Sequence, residues 1–100
     1  MSAKDDKIEI ENFTSPGRTY RVDRVKYEAM RDALLAVLPE TEPGLTVAEA
    51  KVKLLPLLPQ DLFPGGDKAG WWLKAAQLDL EAKGVIARAP ASPVRLRRVK

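Results

Sequence analysis

The sequence contains no cysteine and no histidine. Without cysteine there can be no disulfide, no thiolate nucleophile and no Cys-based zinc site. Without histidine, the usual general base near neutral pH and the commonest metal ligand are missing. The serines are Ser2, Ser15 and Ser92, and none has an imidazole to activate it. Glu9 with Glu11, and Glu40 with Glu42, are the nearest approach to carboxylate pairs, and both lie in solvent-type contexts. The sequence thus predicts a protein that is not an enzyme and holds no metal or cofactor. Long apolar runs are also lacking. Leu54 to Leu58 is broken by Pro56 and followed by Pro59, far short of the roughly 20 residues of a membrane span. Met1 to Lys7 is polar and unlike a secretory leader, so a cytoplasmic protein is expected.

What remains is 100 residues, 45% apolar and 31% charged, the composition of one folded domain. The net charge of +3 hides an asymmetry. Residues 1–38 carry seven basic and seven acidic side chains, and residues 39–81 carry four lysines against seven acids. From Ala82 onward there is no acid, while Lys83, Arg88, Arg95, Arg97, Arg98 and Lys100 are all basic. Such an end suits a polyanion, or it serves as a solvated, solubilising tail.

The pattern along the chain predicts an α+β order. Lys7–Glu11 and Arg18–Val22 alternate polar and apolar residues, the period of half-buried strands. Pro16-Gly17 between them suits a type II turn, so residues 1–22 read as an N-terminal β-hairpin extension. Asp23 is an N-cap for a helix over 24–38, with Tyr27, Met30, Leu34, Val37 and Leu38 on one stripe and a Glu28–Arg31 pair outside it. Thr46-Val47-Ala48-Glu49 spells a capping box for a second helix over 47–55, with a Glu49–Lys53 pair and Pro56 ending it. Pro56 to Gly66 reads as a loop pinned by Leu57, Leu58, Leu62 and Phe63. Asp67 caps a third helix over 68–83, which Gly84 stops. Two strands, 85–89 and 94–99, flank Pro90-Ala91-Ser92-Pro93.

Three helices followed by a hairpin is the order of a winged helix-turn-helix domain. Leu80-Glu81-Ala82-Lys83-Gly84-Val85-Ile86-Ala87-Arg88 resembles the helix-to-wing junction of MarR-like winged-helix proteins. With the N-terminal Pro-Gly hairpin and the run WWLKAAQLDLEAKG, the whole chain is similar to a small family of uncharacterised bacterial winged-helix proteins. The resemblance implies a three-helix core over 23–84 and a wing with a basic end over 85–100. It also implies that the third helix approaches the major groove of duplex DNA while Arg88, Arg95 and Arg97 make wing contacts. Arg98 and Lys100 extend that basic surface. Transcriptional regulation or nucleoid association would follow.

Placing the third helix on a 100° wheel gives a different emphasis. Trp72, Leu73, Ala76 and Leu80 gather on one side as a core stripe, and Trp71, Ala75, Leu78 and Ala82 on nearly the opposite side. Lys74, Gln77 and Glu81 form one polar strip, and Asp79 and Lys83 the other. Lys74 and Gln77 are the best candidates for base contacts. The second apolar face offers an indole and aliphatics where a DNA reader presents donors and acceptors. The alternative reading is therefore a protein-interaction module of winged-helix shape, in which Trp71, Ala75 and Leu78 meet a second copy or another partner. Cover over Trp71 and Leu78 from Ile8, Ile10, Tyr20 or Val22 would argue against that alternative, and a contiguous exposed patch would argue for it.

Overall fold

Alternation in the first two apolar segments produces the expected hairpin. In the computed structural model, which describes residues 6–89 and 93–99, β1 (Lys7–Glu11) pairs antiparallel with β2 (Thr19–Asp23). Ile8 faces Val22 and Ile10 faces Tyr20 across the ladder, which brings these four onto one face. The Arg18 N–H donates to the Ser15 carbonyl at 3.1 Å, closing the turn around Pro16-Gly17.

α1 (Arg24–Val37) starts at Asp23, whose carboxylate accepts from the Lys26 N–H at 3.1 Å. Its stripe of Tyr27, Met30 and Leu34 is buried, and Leu38 beyond its end is buried too. The Glu28–Arg31 pair does not form. Glu28 turns back to Arg24 at 3.7 Å, and Arg31 takes its neighbour Asp32.

β3 (Leu45–Thr46) is a two-residue strand that the sequence pattern did not reveal. Thr46 serves twice, as a strand residue and as the N-cap of α2 (Val47–Leu54). The capping box is present: Thr46 Oγ1 accepts from the Glu49 N–H, and Glu49 Oε1 accepts from the Thr46 N–H at 2.9 Å. The latter bond is the main cause holding the Glu49 carboxyl below its usual pKa. The Glu49–Lys53 pair gives way to Glu49–Arg95 at 3.6 Å, because β5 runs past the start of α2.

Pro56 ends α2 in a 3₁₀ turn over Leu55–Leu57, and a second one follows at Pro64–Gly66. Leu58 and Phe63 pin this connection, with Phe63 fully buried edge-on to Trp72. Leu57 does not, standing 53% exposed. α3 (Ala69–Ala82) is not capped by Asp67. Lys68 intervenes in a left-handed conformation (φ 59°), which sets the Asp67 carboxylate one residue too early to reach the first-turn amides. At the other end the Val85 N–H donates to the Leu80 carbonyl at 2.9 Å as the chain turns through Gly84.

β4 (Ile86–Ala89) and β5 (Arg95–Arg98) pair antiparallel, and β5 also pairs with β3, giving the order β3-β5-β4. Over the described residues the protein is thus α+β, with three α-helices and two small antiparallel sheets. One apolar cluster reaches from Ile10 in the hairpin to Leu96 in β5, with α3 through its centre. Among the described residues no helix is long and apolar enough to cross a membrane.

Candidate functional site

α3 decides what this protein can present. Trp72, Leu73, Ala76 and Leu80 enter the core as the wheel predicts. The polar strips are largely covered as well: Gln77, Asp79 and Glu81 are all buried. Each has a reason.

Asp79 is fully buried where α1, α3 and the N-terminal hairpin meet. Its Oδ1 accepts from the Glu11 backbone N–H at 2.8 Å and pairs with Lys83 Nζ at 2.7 Å. Its Oδ2 accepts from the Tyr27 hydroxyl. A buried carboxylate is tolerated when each oxygen is matched in this way. Beside it the Phe13 N–H donates to the Leu78 carbonyl at 3.1 Å. The hairpin is thus fastened to α3 by two backbone amides, and Leu78 is only 9% exposed.

Burial, and then the bond to Asp79, push the Tyr27 hydroxyl pKa up. A group whose folded pKa is raised stabilises the protein below its unfolded value, and that contribution is lost as pH rises. The unfolded chain releases its proton near pH 10 while the folded one retains it. Stability should therefore fall above about pH 10, by up to about 1.4 kcal/mol per pH unit from this group. Urea denaturation from pH 9 to 11 should show that loss in the native chain, and a shallower one in Tyr27→Phe.

On the second strip, Gln77 Nε2 donates to Glu81 Oε1 at 3.2 Å, and Glu81 accepts two bonds from the Arg88 guanidinium. Arg88 also lies over the Phe13 ring, 5.0 Å from its centroid. The pair with Glu81 raises the Arg88 pKa. Of the two base-contact candidates, then, Lys74 is exposed and Gln77 is covered.

The remaining C-terminal arginines are matched from the acidic middle of the chain. Arg95 donates to the Gly44 carbonyl at 3.2 Å and lies near Glu49. Arg97 is 3.8 Å from Glu42. Arg98 donates to the Leu38 carbonyl and is 3.4 Å from Glu40. These half-exposed pairs are individually weak. Together they set the negative segment 39–81 against the positive end that stood alone in sequence. Lys100 lies outside the described residues, as do Pro90, Ala91 and Ser92 between β4 and β5.

Trp71, Ala75 and Leu78 are brought together, with unequal exposure. They form one wall of an open groove of about 420 Å³, whose other wall is the hairpin through Ile10, Tyr20 and Val22. Leu78 is covered by the hairpin, Ala75 is half-buried, and Trp71 stands 60% exposed at the rim. Its indole meets Trp72 edge-on, with centroids 5.0 Å apart. Tyr20, on the facing strand, is 42% exposed. The sequence reading misses what fastens the hairpin wall of the groove: it sets Asp79 on a polar strip and gives Phe13 no contact, whereas both join the hairpin to α3. Spacing along the chain carries no signal that the hairpin reaches this helix. Among the described residues no group of three or more acidic side chains is placed to hold a metal ion.

Fold and site together define a small α+β protein whose central helix shares an open apolar groove with an N-terminal hairpin. The chain belongs to the DUF6958 family, a family of unknown function, whose model matches residues 7–96. Neither the curated proteins nor the solved structures provide a significant match.

Proposed function

We propose that this protein is an interaction module of winged-helix shape that binds another protein along the groove between α3 and the N-terminal hairpin. The element order and the β3-β5-β4 sheet are compatible with a winged helix. The observation that carries the functional reading is Trp71, a 60% exposed indole at the rim of an apolar groove. Covering it removes roughly 100–150 Å² of apolar surface from water, about 3 kcal/mol, the contribution expected of a binding hot spot. The groups a DNA duplex would need support the same choice. Gln77 and Arg88 are tied to Glu81, and Arg95, Arg97 and Arg98 have carboxylates nearby that phosphates would have to displace.

A photo-cross-linking amino acid in place of Trp71 should give a discrete protein adduct in cells. The same residue in place of Val52, which is 71% exposed on α2, should give none. In parallel, a labelled random duplex of about 30 base pairs should not bind saturably at about 50 mM salt. Micromolar binding with a log–log salt slope of about −3 to −5, lost in an Arg95→Ala, Arg97→Ala, Arg98→Ala variant, would overturn the reading and place the duplex on the wing.

A further inference from the structure

Resting on that reading, we infer that the protein seated along the groove is a second copy of this chain, joined to the first through the outer edge of β2. The ladder shows that this edge is open. The Arg24 N–H donates to the Asp6 carbonyl at 3.0 Å, in register with Ile8–Val22 and Ile10–Tyr20. Bonded pairs alternate in an antiparallel ladder, so these even-numbered residues bond within the hairpin and the odd-numbered ones turn their backbone groups outward. On β1 the outward groups lie toward α3, where the Glu11 N–H meets Asp79. On β2 they belong to exposed Thr19 and Arg21, and among the described residues nothing bonds them. The strand carries neither the proline nor the bulge that would blunt a free edge.

α3 packs against β1, so β2 overhangs the groove with the half-exposed Tyr20 ring on its inner side. A second β2 laid antiparallel on the first makes a four-stranded sheet, each α3 beneath its own β1. The two grooves then meet under the centre of that sheet, and Trp71 and Tyr20 of both copies leave water. Any strand could bond the edge, but a second copy brings a second open groove, and one contact covers both indoles. Lys74 on the groove wall keeps its amine in water at the end of a flexible stem.

Side chains select the register. A two-fold axis through Arg21 would set like charges directly opposite each other. Through Tyr20, it exchanges backbone bonds between Thr19 and the second copy's Arg21, and places the two Tyr20 rings side by side over the joined grooves.

The chain has no cysteine, so single introduced thiols report that register. Tyr20→Cys would face its own equivalent with Cα atoms about 4.5 Å apart, inside the range a disulfide spans. Arg18→Cys, also an exposed site on β2's approach, would lie four residues out of step, about 13 Å along the strand. Under mild oxidation the Tyr20→Cys chain should form a disulfide dimer at least about tenfold faster than the Arg18→Cys chain. Sedimentation of the native chain should show a reversible dimer of micromolar affinity, weakened about tenfold or more by Trp71→Ala, a change at an exposed side chain. A dimer indifferent to Trp71→Ala, or equal rates of linking at the two thiols, would overturn the β2 pairing. A native chain that stays monomeric at about ten times the upper micromolar range would overturn the second copy. Protein binding would then stand if the cross-link from position 71 in cells has a mass other than twice the chain. Binding of an oligothymidylate that quenches Trp71 would overturn both readings.

Discussion

Replacing Asp79 with alanine is expected to cost about 3–5 kcal/mol of folding stability, the range for removing one partner of a buried charged network. In a chain of this size that lowers the melting temperature by about 15 °C or more. The side chain is fully buried and serves three groups at once. Without it the Tyr27 hydroxyl and the Glu11 amide lose their acceptor in a nearly dry interior, at about 1–3 kcal/mol each. Lys83 loses least, since its side chain is 38% exposed and returns to water. Asp79→Asn keeps an acceptor and should fall between alanine and the native residue, while Tyr27→Phe removes a single bond and should cost less than either.

The loss should also be uneven. Glu11 and Phe13 hold the hairpin to α3 through their amides, one on Asp79 and the other on the Leu78 carbonyl. Hydrogen exchange at both amides should accelerate in the alanine variant more than exchange within α1. The groove would loosen with them, because one wall is the hairpin itself. A cost under about 1 kcal/mol, no more than an ordinary surface hydrogen bond, with unchanged exchange at Glu11, would show that the hairpin is anchored by its apolar contacts alone.

Gly44→Ala should be nearly as damaging, by about 3 kcal/mol or more, for a reason of geometry alone. Gly44 has φ +82°, and a Cβ there would lie 2.2 Å from the Leu96 carbonyl oxygen and 2.7 Å from its carbonyl carbon. Both atoms are backbone, so no side chain can swing aside. Leu96 is fully buried and pairs with Leu45 on one side and Arg88 on the other. Any shift that relieves the clash pulls apart the β3-β5-β4 sheet and the Arg95–Gly44 bond. Gly17→Ala is the control. Its φ is +88° but nothing lies within 4 Å of the added carbon, so only the left-handed conformation is penalised, at about 1–2 kcal/mol. Urea denaturation of the two variants separates the effects, and equal losses would refute the clash.

Gly44 also illustrates where sequence reading stops. Its role as a turn before the capping box is local and legible. The approach of Leu96, more than 50 residues away, is not. β3 escapes notice for the same cause: Leu45-Thr46 is too short to show a period, and becomes a strand only because β5 lies beside it. Asp67 fails in the opposite sense. Its chemistry is right for a cap, but the path through Gly65, Gly66 and Lys68 moves the helix start past its reach.

By itself the sequence determined the features that depend on neighbours along the chain. The Pro16-Gly17 hairpin, the Asp23 cap, the Thr46–Glu49 box, the apolar stripes of α1 and α3 and the stop at Gly84 all rest on contacts within a turn or two, where residue type and spacing dictate geometry. Only the tertiary structure decided which charges meet and which apolar face stays open. It brought Glu40, Glu42 and Glu49 to the C-terminal arginines, buried Asp79 under the hairpin, and covered Leu78 while leaving Trp71 exposed. Those outcomes depend on how the elements dock, and docking is driven by apolar burial that has no direction of its own. The polar partners of each side chain follow from where that burial places them.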